Sequence, residues 1–331
     1  MSATRPATAV ATSNIALVKY WGKRDLVLNL PATGSISVTL DALTTRTTVA
    51  FDDDLPSDAI ELGGKAAGAG VTRIVRFLDL VRAQAGTTAH ARVASENDFP
   101  TGAGLASSAS GFAALALACD AALGLGLSTA ELSVLARRGS GSAARSLIGG
   151  YAEMHVGQAA DGHDAFASPL APPERLPLAL LVAVTTSAPK TVGSTEGMQR
   201  TEATSPYHPA WVASTTRDLD RMRAAILAGD LEAVGTLAEG NALRMHADML
   251  ASEPPLLYWN AATLAAMTTV HELRAAGTGT WFTIDAGPQV KAICAPEDAD
   301  TVAAALAATP GVQQVLRAAP GPAARLVDPV A

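Results

Sequence analysis

The chain has 331 residues, of which 49% are hydrophobic, 17% charged and 4% aromatic, a globular composition that excludes intrinsic disorder and suits one large domain or two medium ones. Lys and Arg number 24 against 31 Asp and Glu, and the resulting net charge of −7 disfavours nonspecific nucleic-acid binding, which depends on basic patches. An anionic small ligand fits this charge only where a few cations are gathered at one site.

Strand and helix patterns alternate in the first third of the chain. Residues 35–40 and 45–51 are rich in β-branched residues and alternate in polarity, which predicts two strands. Residues 71–83 carry apolar side chains at helical spacing, and residues 88–94 alternate like a strand.

The middle of the chain contains its most unusual stretch. Residues 100–126 open with Gly and Ser and continue as an Ala- and Leu-rich helix that ends at glycines. Ser128 and Glu131 form a capping-box pattern, which predicts a helix through about Arg138.

Two strand-like runs follow, at 149–156 and 178–185. The segment 186–209 is rich in Ser, Thr, Gly and Pro, and we predict a domain boundary or a long functional loop there.

The last third predicts helices stacked on an antiparallel sheet, and the whole chain is therefore predicted to be α+β. The predicted elements are helices near 210–228, 230–251 (capped by Asp230) and 259–275, the strands TWFTIDAG and QVKAICA, a helix capped by Asp298 or Asp300 that ends near 308, and a strand near 311–316.

Residues 100–110 read P-x-G-A-G-L-A-S-S-A-S, whereas the P-loop, a complete G-x-G-x-x-G, H-E-x-x-H and G-x-S-x-G are all missing from the sequence. Gly102 and Gly104 let backbone amides approach an anion, and the start of the next helix presents free amides at the positive end of its dipole. Ser107, Ser108 and Ser110 add hydroxyl donors. The alternative is a tight turn into a buried helix, but three serines at its mouth favour phosphate binding.

This segment resembles the phosphate loop of the GHMP small-molecule kinases. The resemblance implies an N-terminal domain (1–186) of the ribosomal-protein-S5-like type with a left-handed βαβ unit, and a ferredoxin-like C-terminal domain (187–331). It also implies ATP and Mg²⁺ as cofactors. The implied nucleotide-binding residues are Gly102, Gly104, Leu105, Ala106, Ser107, Ser108 and Ser110, with Ser107 also a candidate metal ligand.

Four further blocks resemble those of the diphosphomevalonate decarboxylases, in the same order and spacing. They are NIALVKYWGKR at 14–24, RRGSGSAARSLIGG at 137–150, STEGMQRTEATSP at 194–206 and TIDAGP at 283–288. Together with the phosphate loop they span most of the chain.

The resemblance assigns roles to residues that, singly, would be read as surface charges or turn caps. A diphosphate ester carries about three negative charges and needs cations and directional donors. Asp285 and Lys23 are the implied catalytic residues, and Lys19 is a further candidate for neutralising phosphates. The implied substrate-binding residues are Tyr20, Trp21, Gly22, Lys23, Arg76, Ser140, Gly141, Ser142, Ala143, Ala144, Arg145, Ser194 and Thr195.

The implied activity is ATP-dependent decarboxylation of (R)-5-diphosphomevalonate to isopentenyl diphosphate, through phosphorylation of the C3 hydroxyl, in the mevalonate route of isoprenoid biosynthesis. The implied assembly is a homodimer. Thr33, Ala144 and Gln289 depart from the family pattern, where Asn, Cys and Asn are usual, and Thr33 and Gln289 are candidates for a changed substrate orientation.

Other activities stay open from the sequence. Within the superfamily these are a phosphomevalonate decarboxylase, a mevalonate 3-kinase and a plain GHMP alcohol kinase; outside it stands a nucleotide-binding regulatory protein. KYWGK and TIDAGP disfavour the plain kinase, and Asp285, Lys23 and Arg145 disfavour the regulatory protein.

Cys119 and Cys294 both lie in apolar stretches, which favours buried free thiols over a disulfide or a zinc site. The first ten residues lack the apolar core of a signal peptide, and no run of about 18 apolar residues predicts a membrane span. We therefore expect a cytoplasmic protein without a membrane or nucleic-acid partner.

Overall fold

The computed structural model describes residues 4–66, 71–99, 107–188 and 190–328. They form two large sheets with helices packed on them, which confirms the predicted α+β class. The handedness of the βαβ unit stays a prediction.

The first sheet has eight strands in the order β14-β1-β4-β7-β5-β6, with β8 pairing β4 and β9 pairing β8. Its pairs are antiparallel except for β5 with β7. Its strands are β1 (Ala7–Val18), β4 (Ser35–Asp52), β5 (Ala59–Leu62), β6 (Lys65–Ala66), β7 (His90–Asn97), β8 (Tyr151–Met154), β9 (Ala167–Ala171) and β14 (Arg325–Val327). A small hairpin, β2 (Lys23–Asp25) with β3 (Leu30–Pro31), follows β1.

The described residues of the first half of the chain form four helices: α1 (Val71–Ala85), α2 (Ser107–Leu123), α3 (Thr129–Gly139) and α4 (Ala143–Ser146). Helix α2 is apolar on most of its surface and packs against β1 and β4, where it forms one core cluster with α1 and α3. The capping box of Ser128 and Glu131 forms at the start of α3 as predicted. Because α3 ends at Gly139, the Ser140–Ser142 turn is held at the edge of this core.

The second sheet has four antiparallel strands in the order β11-β12-β10-β13. Its strands are β10 (Ala179–Val184), β11 (Thr280–Ile284), β12 (Val290–Cys294) and β13 (Gln314–Ala318). The helices of this half are α5 (Ser194–Thr204), α6 (His208–Ala228), α7 (Leu231–Leu250), α8 (Ala261–Ala275) and α9 (Ala299–Ala308). Asp230 caps α7 through the amide of Ala233, as predicted.

Several elements differ from the prediction. Residues 35–51 form one long strand in place of two, with Leu43 at a positive φ of 61° where the pairing register with β1 shifts. Helix α5 lies inside the segment predicted as a boundary or loop. The prediction missed this helix because a sequence rich in Ser, Thr and Gly shows little apolar periodicity.

The predicted division at 186/187 stays a prediction, but strand pairing distributes the chain differently near both ends of the second part. β10 precedes that position and pairs within the second sheet. β14 returns to the first sheet beside β1.

In the described part of the chain, no helix combines the length and the apolar character needed to cross a lipid bilayer.

Candidate active site

A carboxylate held between two ammonium groups marks the candidate site. Asp285 follows β11, and its Oδ1 accepts a hydrogen bond of 2.6 Å from Nζ of Lys19, the residue after β1. Its Oδ2 lies 3.0 Å from Nζ of Lys291, the second residue of β12. Both lysines are buried, whereas the Asp285 side chain keeps 27% of its surface exposed. The carboxylate is therefore fixed from inside and accessible from outside.

The charges of these groups are set by competition between burial and attraction. Burial by itself would raise the pKa of Asp285, but Lys19 and Lys291 outweigh it and hold that pKa well below its usual range. Burial lowers the pKa of Lys19 to about 8 against the opposing attraction of Asp285. Asp285 is thus a carboxylate at neutral pH, suited to accept a hydrogen bond from a hydroxyl.

Backbone contacts fix the two segments that carry this pair. The Lys19 amide donates to Oδ1 of Asn241 on α7 (2.8 Å), and Asn241 in turn donates to Asp218 on α6 (2.8 Å). Nε2 of His246 lies 3.2 Å from the Asp285 carbonyl oxygen. Burial lowers the pKa of His246 to about 3, so the ring is neutral and its N–H can donate to that carbonyl. His246 therefore helps to fix the backbone of Asp285.

Arg145 is a buried cation on α4, only 1% exposed. Its guanidinium donates to Oδ1 of Asn14 (3.3 Å) and Oγ of Ser35 (2.5 Å), both neutral groups. Burial lowers its pKa to about 10, so it remains charged at neutral pH. A buried cation bonded to neutral groups attracts an anionic ligand.

The turn that precedes Arg145 touches the segment between β1 and β2. Gly141 lies so close to Tyr20 that an added Cβ would sit 2.4 Å from the Tyr20 hydroxyl oxygen. That buried hydroxyl has no hydrogen-bond partner among the described residues, and burial raises its pKa above the usual range. It is a protonated donor facing the Ser140–Ser142 turn.

Trp21 and Gly22 anchor the same segment. Trp21 is buried, and its carbonyl accepts from the Trp211 indole on α6 (3.0 Å). Gly22 has a φ of 109°, and a Cβ there would meet the His208 ring at 3.1 Å, so only glycine fits without strain.

Helix α5 brings its first residues to two lysines. Nζ of Lys23 donates to Oγ1 of Thr195 (3.2 Å), and Nζ of Lys190 donates to Oγ of Ser194 (2.9 Å) and to the Ala286 carbonyl (2.8 Å). Burial, reinforced by repulsion from Arg73, lowers the pKa of Lys23 to about 8. The predicted residues Lys23, Ser194 and Thr195 thus lie together.

The arginine of α1 that reaches the site region is Arg73. Its Nε donates to the Gly139 carbonyl (2.8 Å), just before the Ser140–Ser142 turn (the serine turn). Its positive charge adds to the effect of burial in lowering the pKa of Lys23, and it partly offsets the effect of burial on the pKa of Tyr20. Arg76, the predicted substrate arginine, lies one turn further along α1; both arginines are exposed, and Arg73 is the one of the two that bonds to Gly139. The role of Arg76 stays a prediction, and the geometry favours Arg73 for it.

The phosphate loop, residues 100–110, is described from Ser107 onward, where α2 begins. Ser107 and Ser108 occupy its first turn, and Oγ of Ser108 lies 3.3 Å from Oγ of Ser140, which links the loop to the serine turn. Ser110 points instead into the core, where its Oγ lies 2.6 Å from Oγ1 of Thr45. The predicted residues Gly102, Gly104, Leu105 and Ala106 lie outside the described residues.

A magnesium site made of protein groups alone is not found in the described residues, which contain no group of three His, Cys, Asp or Glu side chains close enough to hold a metal. Mg²⁺ commonly takes few protein ligands and completes its octahedron with phosphate oxygens and water. The Ser107 hydroxyl beside a polyphosphate fits that pattern.

The three departures from the family pattern occupy buried positions. Gln289 accepts from the Thr185 amide (2.6 Å) and donates to the Thr186 carbonyl (2.7 Å), so it ties the end of β10 to the Asp285 turn. Ala144 is fully buried in α4. Thr33 is buried, and its hydroxyl has no partner within the described ranges.

Sequence reasoning did not single out Arg73, Lys190 or Lys291. A lysine within the otherwise apolar run V-K-A-I-C was the available signal for Lys291, because Lys is almost never fully buried unless it is paired. Lys190 gives no such signal because it lies in a segment rich in Ser and Thr, and Arg73 gives none because it reads like the other arginines of an amphipathic helix.

Two family profiles match the chain. Residues 11–167 match the diphosphomevalonate decarboxylase-like N-terminal domain, and residues 180–321 match the mevalonate 5-diphosphate decarboxylase C-terminal domain.

Similar proteins agree with these profiles. The diphosphomevalonate decarboxylase of Aspergillus fumigatus is 38% identical over 92% of this chain and 80% of its own length, and that of Rattus norvegicus is 39% identical over 85% and 74%. The mevalonate diphosphate decarboxylase of Staphylococcus aureus has a TM-score of 0.94 at 39% identity, with 98% of each chain covered. MDDEF in complex with MVAPP, AMPPCP and magnesium has a TM-score of 0.93 at 41% identity, covering 99% of this chain and 100% of that one.

Proposed function

Because the chain belongs to the diphosphomevalonate decarboxylase family, we propose that it converts (R)-5-diphosphomevalonate and ATP into isopentenyl diphosphate, ADP, phosphate and CO₂. The observation that carries the proposal is the ionised, part-exposed Asp285 held between Lys19 and Lys291. A solved structure of a relative with MVAPP, AMPPCP and magnesium supports the choice of ligands.

The cations and donors beside Asp285 suit a diphosphate and a carboxylate. Lys23, Arg73 and Arg145 supply charge, and the Tyr20 hydroxyl and the Ser140–Ser142 turn supply directional donors. Because the chain as a whole carries a net charge of −7, this cluster of cations contrasts with the acidic balance of the rest of the protein.

Asp285 orients the C3 hydroxyl of the substrate. That oxygen forms a bond to the γ-phosphorus of ATP while the bond from this phosphorus to the β–γ bridging oxygen breaks and ADP leaves. In a loose transition state the hydroxyl proton departs late, when the oxygen is already bonded to phosphorus and strongly acidic. A weakly basic carboxylate with a lowered pKa is therefore sufficient to accept it.

Decarboxylation follows from the leaving group made in the first step. The C3–O bond breaks and phosphate takes its electron pair. The bond to the substrate carboxylate then breaks, CO₂ leaves, and the released pair forms the C2–C3 double bond. Arg145 and the lysines hold the anionic ends of the substrate so that these bonds stay aligned.

In this proposal ATP lies along the end of the phosphate loop at Ser107 and Ser108, since Ser110 points into the core. Mg²⁺ would be held by the Ser107 hydroxyl with phosphate oxygens and water, and it supplies neutralisation of phosphate charge. The Ser108–Ser140 contact, which joins the start of α2 to the Ser140–Ser142 turn, supports this location.

A coupled assay of ADP formation with parallel measurement of CO₂ release, run on mevalonate, its 5-phosphate and its 5-diphosphate, tests the proposal. We expect equal amounts of ADP and CO₂ with the diphosphate and little turnover of the other two. Preference for the monophosphate would indicate a phosphomevalonate decarboxylase, and ADP without CO₂ from mevalonate a mevalonate 3-kinase. Absence of turnover on all three would contradict the proposed activity.

A cytoplasmic location and a homodimer complete the proposal. Cys119 and Cys294 are free buried thiols, as expected in a reducing compartment. Light scattering at several concentrations measures the assembly, and fractionation of cells measures the location.

A further inference from the structure

Lys291 is a fully buried lysine in an interior strand. β12 lies between β10 and β11, and Lys291 stands opposite Val182 on one side and Thr283 on the other. Its neighbours Val290 and Ala292 are fully buried as well. Burying an ammonium group is costly unless its charge is paired, so a lysine that is 0% exposed here requires a compensating partner.

The partner of Lys291 is the carboxylate at the centre of the candidate site. Its Nζ lies 3.0 Å from Oδ2 of Asp285, while Lys19 holds Oδ1 at 2.6 Å. A carboxylate has about four lone-pair sites, so two ammonium groups leave others open on the exposed side. With one cation on each oxygen, the carboxylate cannot rotate without breaking an ion pair.

We propose that Lys291 is a positioning residue for the reaction, holding Oδ2 so that Asp285 keeps a single orientation toward the substrate hydroxyl. The inference deepens the proposed function and rests on it. Lys291 acts through Asp285 and is separated from the substrate by that carboxylate.

The other charged or titratable groups around Asp285 come from four different elements. Lys19 follows β1, Arg145 lies on α4, Lys190 precedes α5, and His246 lies on α7. Within the described residues, Lys19 and Lys291 are the two groups that form ion pairs with the carboxylate. Loss of Lys291 therefore leaves Oδ2 without its ammonium partner, and the pKa of Asp285 rises.

Lys291→Met tests this role, with Lys65→Met as a matched control because Lys65 is exposed on β6. We expect kcat to fall at least about tenfold in Lys291→Met, and the acid limb of its pH–rate profile to move up by about one to three pH units. Lys291→Arg keeps the cation and should return the acid limb to the wild-type position. Lys65→Met should match the wild type.

A double variant separates positioning from direct substrate binding and covers failure of the single variant to fold. In Asp285→Asn, no buried carboxylate needs the second cation, so Asp285→Asn/Lys291→Met should fold and retain the residual turnover of Asp285→Asn. Thermal melts verify folding of each protein.

Two results would overturn the inference. One is a Lys291→Met profile that matches the wild type; the other is a further loss of about tenfold or more in the double variant relative to Asp285→Asn. Failure of the proposed function is a different result, since it would show as absence of ADP and CO₂ formation by the wild type itself.

Discussion

Lys19 and Asp285 are 266 residues apart in the chain and form a hydrogen bond of 2.6 Å. Lys19 follows a strand of the first sheet, and Asp285 follows a strand of the second. The pair therefore joins the two halves of the protein at the point where we place the chemistry.

Replacing Asp285 tests that placement. Asp285→Asn keeps the shape of the side chain but removes the charge, so nucleotide and substrate should still bind. Turnover should fall by about 10²–10⁴-fold, since the hydroxyl loses its acceptor. Steady-state kinetics and calorimetric binding measure the two effects.

Asp300→Asn is the control for Asp285→Asn, because Asp300 lies in an exposed ion pair with Arg317. It should change neither binding nor turnover. Normal turnover in Asp285→Asn would remove Asp285 from the mechanism.

Arg145→Ala should weaken productive substrate binding. Charge-assisted hydrogen bonds contribute about 1.5–3 kcal/mol each, so loss of one or two to the substrate predicts a fall in kcat/KM of about tenfold to several-hundredfold. Arg317→Ala, on the surface, should have no effect. An unchanged KM and kcat in Arg145→Ala would exclude a role in the site.

Arg73 and Arg76 of α1 lead to opposite predictions. Both are exposed, but Arg73 bonds to Gly139 beside the Ser140–Ser142 turn, whereas Arg76 lies one helical turn away from that contact. Arg73→Ala should raise KM for the diphosphate by about tenfold, as expected for loss of one cation. Arg76→Ala should change it less than about twofold. The reverse pattern in steady-state kinetics would restore the assignment that the resemblance gave to Arg76.

Substrate binding should be coupled to proton uptake. The pKa of Lys23 is lowered to about 8 by burial, so near pH 8 the Lys23 side chain is neutral in about half of the free protein molecules. An anionic diphosphate favours the charged form and raises that pKa, so protons are taken up on binding and affinity falls as pH rises through about 8.

Calorimetry in buffers of different ionisation enthalpy measures this uptake directly. Lys23→Arg, which stays charged, should take up fewer protons than the wild type, and Lys65→Arg should not differ from it. Equal uptake by Lys23→Arg and the wild type would show that Lys23 is not the group responsible.

The family, the α+β class and the residue types of the site could all be predicted from the amino-acid sequence. Each block, from KYWGK to TIDAGP, is a continuous stretch of sequence, so it can be recognised without knowing which distant segments are in contact. The capping box at Ser128 and the cap at Asp230 are likewise local, because each bond spans only a few residues.

Which charged side chains come into contact could be established from the folded structure but not from the sequence. That Asp285 lies between Lys19 and Lys291, and that Arg73 reaches the serine turn, depends on strand pairing and helix packing over long separations in sequence. The same holds for burial, which sets the protonation of Lys23 and His246. Charge state and ion pairing follow from the surrounding dielectric and from distance, and neither quantity exists until the two sheets are packed together.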